Sequence, residues 1–350
     1  MTTAIPSGLG GTLGFAQETT YNTFVSPTDF IYFKKEAFEF KKTVVTSEAI
    51  MGGRTQLGSR RVVPAVAVDG SIELEVQERG MGLLFKNMLG SSVSSPTLLS
   101  GSAYQQVHAL GNSISPMTFQ VGRPDITGTL NSFSYTGCKC TDWTLGVAAG
   151  QIATLTLSLD GAGQSTSQTY AAPSYTNSGS PMHFAQGGLY LGGTTTTTSG
   201  TATRTGGTQL AGAGSTFAGA VKSINIKATN PMNTDRRTLG TTAKLNPLAN
   251  AFVAITGDVE IEFSDLTTLY NVFAATPETS TAIEFSLTGS LISGSNYATV
   301  DVLLPKVYLD TDQTMVEGPD ILTQKVAFTA LYDGTNTPVQ ITYTSADSSL

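Results

Sequence analysis

The chain has 350 residues, enough for two compact domains that each bury a core. Only 13% of them are charged and the formal net charge is -7, which excludes an open phosphate-binding surface of clustered Lys and Arg. Thr, Ser and Gly are plentiful and Gly/Pro punctuation recurs. That is the composition of short strands joined by turns, so the expected fold class is all-β.

In chain order, Met1 to Phe15 carries no basic n-region and no sustained apolar run. No later segment approaches the length of a membrane helix, so the protein is expected to be soluble and cytosolic when made. Gly8 to Gly14 is glycine-rich but follows no predicted strand, so it reads as a flexible arm rather than a phosphate cradle. A strand containing Phe38 and Phe40 precedes a long interval with Met51-Gly52-Gly53-Arg54 and Arg60-Arg61, too long for a plain hairpin. From Val66 to Val76, apolar Val68, Ile72 and Leu74 alternate with polar residues around Gly70, giving a half-buried strand with a bulge or close approach at the glycine. Glu73 and Glu75 face away from that core. Met81, Leu84, Phe85 and Met88 then stand at helical spacing and predict a short amphipathic helix. Strand patterns follow at Met117, Phe119 and Val121 and at Ala153, Leu155, Leu157 and Leu159 before Asp160-Gly161.

After a boundary near Ala171 to Pro173 the same order recurs. Phe184, Leu189 and Leu191 begin a strand, and Gly192 to Gly219 is a Thr/Gly-rich exposed insertion, a loop or long hairpin. Ile224 and Ile226 precede a second long interval with Asp235-Arg236-Arg237 and Gly240. Val253 to Phe263 matches Val66 to Val76 position by position, with Gly257 at the centre and Glu260 and Glu262 on the polar side. Leu266, Leu269, Tyr270 and Phe273 repeat the helical spacing. Ile283, Phe285 and Leu287 match the middle strand, and Val326, Phe328, Ala330 and Tyr332 the last one. The repeat predicts two homologous β-sandwich or barrel lobes, 1–172 and 173–350, with two short helices and the insertion at about 192–219.

Catalytic chemistry finds little support. Cys138 and Cys140 fall on one face of a strand, are poor disulfide partners for each other, and read as buried small hydrophobes. His108 and His183 lack zinc-site spacing and sit in different lobes. Paired acids on one strand cannot straddle a glycosidic bond. No nucleophile elbow, Walker loop or zinc-protease helix is present, so no enzyme, metal or cofactor is expected.

Gly14-Phe15-Ala16-Gln17-Glu18-Thr19-Thr20-Tyr21, the strand-helix unit from Val68 to Gly90 and its repeat from Ile255 to Phe273 resemble the tail tube proteins of siphophages, the long non-contractile-tailed bacteriophages, including forms with a duplicated tube domain. The resemblance implies a structural virion protein, made in the bacterial host cytoplasm, that forms stacked rings around a lumen for viral DNA on ejection. With two lobes per chain it implies a homotrimeric ring of pseudo-sixfold symmetry. Its partners would be further copies of itself, a tape measure protein and other tail proteins, with DNA passing unbound and no membrane. It also implies that Thr43 to Arg61 and Asn230 to Leu248 reach the neighbouring ring, where Arg54, Arg60, Arg61, Arg236 and Arg237 meet acidic groups. Glu73, Glu75, Glu260 and Glu262 would face the lumen and repel phosphate. The rival readings are another tail ring component such as a terminator or baseplate protein, a pilus-like surface subunit, and a carbohydrate-active enzyme.

Overall fold

The computed structural model describes residues 7–350 apart from 51, 94, 177–178, 199 and 317, and apart from the side chain of residue 313. Met51 of the first long interval and residues 1–6 of the opening Met1 to Phe15 therefore lie outside the described residues. The chain is all-β with two short helices.

The first part contains β1 (Thr12–Gln17), β2 (Asp29–Phe30), β3 (Phe33–Glu36), β4 (Glu39–Thr46), β5 (Arg61–Glu75), α1 (Gly82–Leu89), β6 (Thr97–Ser100), β7 (Ala103–Ala109), β8 (Met117–Pro124), β9 (Leu130–Ala148), β10 (Thr154–Gly161) and β11 (Gly163–Ser165). The second contains β12 (Gly187–Leu191), β13 (Thr194–Thr198), β14 (Thr201–Thr205), β15 (Thr208–Ala211), β16 (Val221–Thr229), β17 (Ala254–Glu262), α2 (Tyr270–Phe273), β18 (Thr281–Ser293), β19 (Asn296–Thr314), β20 (Thr323–Ala330) and β21 (Gln340–Ser345).

One wide antiparallel sheet runs β4–β5–β10–β9–β16–β17–β20–β19 through both parts. Facing it are β2–β1–β8–β9–β11 and β15–β12–β18–β19–β21. The long strands β9 and β19, each of 19 residues, serve both layers: one end pairs in a facing sheet, the other in the wide sheet. In each, the change is marked by a bulge, at Thr141 of β9 opposite Ser158/Leu159 of β10 and at Asp310 of β19 opposite Ala327/Phe328 of β20.

Alternation explains the layering. Val68, Ile72 and Leu74 of β5, and Ile255, Val259 and Ile261 of β17, are buried against the facing sheets. Each such side chain contributes roughly 1.5–3 kcal/mol. Phe38 stacks on Tyr135 at 4.5 Å between ring centroids and meets Phe119 at 5.6 Å. Both central glycines are close approaches without a bulge of their own: a Cβ on Gly70 would lie 2.4 Å from the Phe38 ring, and one on Gly257 2.2 Å from the Phe328 ring.

Four expectations change. The glycine-rich opening is a 3₁₀ turn at Gly8–Gly10 followed by β1, whose Leu13 and Phe15 are fully buried, because β8 supplies a strand partner that local composition does not reveal. α1 buries Met81, Leu84, Phe85 and Met88 and ends on left-handed Gly90. α2 is a single turn: Asp265 holds the backbone N–H groups of Thr267 and Thr268, delaying the helix, and Leu266 and Tyr270 stay exposed. The insertion is the hairpin β13–β14, which is anchored on its own chain: the Gln340 side-chain amide accepts from the Ala202 N–H and donates to the Ala202 carbonyl, and Arg204 is paired to Glu284. Finally, the match of Leu159 with Tyr332 fails. Leu159 opposes Gly70 and Phe328 opposes Gly257, so Phe328 is the counterpart and Tyr332 lies exposed beyond the strand.

Candidate assembly surfaces

The side of the wide sheet opposite the core carries Glu73 and Glu75 on β5 and Glu260 and Glu262 on β17. Strands β10, β9 and β16 stand between them, so the two pairs are about 19 Å apart at ordinary strand spacing. The face is mixed in charge rather than purely acidic. Glu73 pairs with Lys34 at 2.8 Å, Glu262 with Lys222 at 2.5 Å and Glu260 with Lys325 at 3.4 Å. The Glu262 carboxyl is held below the ordinary range, first by its hydrogen bond from Lys222. Lys34 is held above its ordinary value, first by the hydrogen bond to Glu73, and also feels Glu75. Asp69 with Lys41 and Asp258 with Lys227 extend the pattern, and Thr144, Thr154, Thr156, Thr256 and Thr323 fill the positions between.

Both outer edges of this sheet are open among the described residues. At one end, β3 and β4 follow one another along the same side of β5. At the other, Tyr308–Thr314 of β19 pairs only with β20. The matching stretch of β9, Asp142–Ala148, pairs on that side with Ser223–Thr229 of β16. Lys34, Lys35, Lys41 and Lys42 lie along the first edge, and Asp310 and Asp312 along the second. Charged side chains on an edge discourage random strand addition and favour a partner of opposite sign.

The two arginine-bearing intervals differ. Strands β4 and β5 stay paired out to Thr46↔Arg61, so the first is a protruding hairpin where a plain hairpin was not expected. Its end exposes Val44, Val45, Leu57, Val62 and Val63 together with Arg54, Arg60 and Arg61. The second is folded onto the first part of the chain. Lys244 and Asp160 form a buried ion pair, Lys139 donates to the Pro247 carbonyl at 3.1 Å, and the Val66 N–H donates to the Thr242 carbonyl at 3.0 Å. Arg237 bonds Asp235 and the carbonyls of Val66 and Thr242, and Arg236 bonds the Asn246 carbonyl. Burial pushes the Lys139 ammonium down to about 8.

His108 is buried between Ser91 and Gln106 at 2.8 and 3.0 Å, and burial lowers it to about 3, leaving it neutral and without access to a substrate. His183 is exposed. Cys138 and Cys140 are unpaired and fully buried, and burial raises both thiols, which keeps them protonated.

The family model for "Phage tail tube protein" matches residues 8–330. The chain belongs to that family. No curated protein matches it. Family membership makes it a structural component of the phage tail, and among the described residues no helix is long and apolar enough to cross a membrane. The sequence motifs located β4, β5, β10, β16, β17 and β20 of the wide sheet but not the long strands β9 and β19. They also missed the lysines that accompany the glutamates, because Lys34, Lys222 and Lys325 are brought to them from other strands.

Proposed function

We propose that this tail tube protein closes into a trimeric ring whose wall is the wide sheet, each chain supplying two equivalent lobes, 1–172 and 173–350. The observation that carries this reading is the β9–β16 junction, at which one half of the chain is already joined edge to edge to the other. The order β1, β8, β9, β10, β5, β4 in the first half recurs as β12, β18, β19, β20, β17, β16 in the second. Repeating that junction between the β19 edge of one copy and the β3–β4 edge of the next is a heterologous contact, which closes when the rotation per step divides a full turn. Closure also removes both open edges.

In such rings the face bearing Glu73, Glu75, Glu260 and Glu262 lines the lumen. Its lysine partners leave it weakly acidic and rich in hydroxyls, a surface that gives DNA no run of cations to bind. Arg54, Arg60 and Arg61 stand at the tip that meets the next ring, whereas Arg236 and Arg237 stiffen the loop at the seam between lobes. Stacked rings would form a siphophage tail tube that encloses a tape measure protein and then conducts the genome. Electron microscopy of purified protein tests the reading. Rings or tubes with an axial hole and true threefold symmetry are expected; open filaments or solid particles would overturn it.

A further inference from the structure

The junction made inside the chain supplies a register for the edges that are still open. Where β16 meets β9, Thr229 stands opposite Asp142 and Ala228 opposite Trp143, and Asn230 N–H extends the ladder with a 2.7 Å bond to the Thr141 carbonyl. Each of these strands has a counterpart on an outer edge. β3–β4 corresponds to β16: Lys35 lies opposite Glu73 as Ser223 does Glu260, each next to a one-residue bulge at Lys34 or Lys222, and further along Phe40 lies opposite Val68 as Ala228 does Ile255. The end of β19 corresponds to that of β9. Beyond the matching bulges at Asp310 and Thr141, Asp312 lies opposite Val326 as Trp143 does Leu157.

Carried onto the open edges, these correspondences set Lys41 opposite Thr311, Phe40 opposite Asp312 and Lys42 opposite Asp310. Alternation then assigns the faces. Lys41 pairs with Asp69 on the side away from the core, where Asp310 accepts from Thr329, the neighbour of Thr256. Lys42 lies 5.7 Å over the Phe40 ring on the core side, where Asp312 accepts from buried Gln324. Each face of the seam thus receives one lysine and one aspartate at diagonal positions, about 7–8 Å between backbones and within reach of a lysine. Among the described residues Lys42, Asp310 and Asp312 form no ion pair within the chain. The same four places at the internal junction hold Thr229, Asn230, Thr141 and Trp143, none of them charged.

We propose that β19 of one copy pairs antiparallel with β4 of a second copy in this register, with Lys41–Asp310 on one face and Lys42–Asp312 on the other selecting the unlike edge. The inference rests on the ring reading above and adds to it the register and the groups that enforce it. The contrast in charge has a physical reason. The two halves of one chain are tethered and meet without steering, whereas separate chains must find the correct edge and refuse the wrong one. Two β4 edges would set lysine against lysine, and two β19 edges aspartate against aspartate. A slip of one residue would send the lysines to the faces opposite their aspartates.

The register is tested with full-length chains that each carry one added cysteine, Lys41→Cys in one preparation and Thr311→Cys in another, mixed, assembled, imaged and exposed to a mild oxidant. Native Cys138 and Cys140 are fully buried and do not compete. A disulfide-linked dimer is expected in the assembled mixture, absent from either variant alone and from Thr43→Cys mixed with Thr311→Cys. Assembled rings in which the first pair gives no dimer, or the second gives more of it, overturn the register and leave the ring reading intact. The charges are tested by reversal: Lys41→Asp with Lys42→Asp should abolish rings while circular dichroism shows a folded chain, and adding Asp310→Lys with Asp312→Lys to that chain should restore them. Rings at wild-type yield from the lysine-reversed chain, or a folded fourfold variant that stays unassembled, overturn the ion pairs. Failure of wild-type protein to form rings removes both the proposal and the ring reading.

Discussion

The intervals β4–β5 and β16–β17 occupy the same place in the strand order, yet one projects and the other lies down on its own chain. The projecting tip exposes Val44, Val45 and Leu57 beside arginines, whereas the folded loop buries Lys244 against Asp160 and gives Arg237 three acceptors. Equivalent topology therefore does not give equivalent surfaces. The second loop has the other half of its own chain to rest on, and the first has only what another molecule can offer. The helices show the same division, with α1 sealed under β7 and β9 and α2 reduced to a turn with Tyr270 exposed.

The largest effect should come from the folded loop. Lys244→Ala strands the Asp160 carboxylate, which burial already raises and which Asp69 and Asp235 oppose, at a cost of about 3–5 kcal/mol in denaturant unfolding. Arg54→Ala at the projecting tip should stay within about 0.5 kcal/mol. Equal losses would erase the distinction between the loops. The helices give a similar contrast: Phe85→Ala is expected to cost about 3–5 kcal/mol, and Tyr270→Ala, already 41% exposed, under about 1 kcal/mol.

A smaller difference concerns pH. In the second half Asp301 opposes Ser286, where the first half pairs Ser134 with Gln120. Burial, assisted by the charge of Glu284, pushes the Asp301 carboxyl up to about 7. A carboxyl raised on folding binds its proton more readily in the native state. Its stabilising contribution is therefore complete below about pH 4 and is lost as pH rises through about 7. Asp301→Asn should flatten the stability profile over that window and gain on the order of 2 kcal/mol at alkaline pH, read from thermal melts. A profile that keeps its slope would place the titration elsewhere.

The smallest effect on stability is expected at the wall. Replacing Glu73, Glu75, Glu260 and Glu262 together by Gln breaks only the solvent-screened pairs of Glu73, Glu260 and Glu262 on an exposed face, so assembly should persist. It also frees Lys34, Lys222 and Lys325, and DNA should then be retained on assembled tubes in a salt-dependent way. Unchanged retention would detach these residues from the lumen.

Alternation of apolar and polar residues, glycine placement and the recurrence of both determined by themselves that this is a β-protein, which faces of β5 and β17 are buried, and that α1 is a helix. Those features are local: a two-residue or helical period is written in consecutive side chains. Tertiary structure alone decided that β9 and β19 pass from one layer to the other, that β7 pairs with β21, and that lysines from three other strands sit on the glutamates. It also decided that one loop folds and the other stands out. Each of these depends on which distant backbone and charge a segment meets, and that is set by packing and strand pairing over long separations rather than by any short run of sequence.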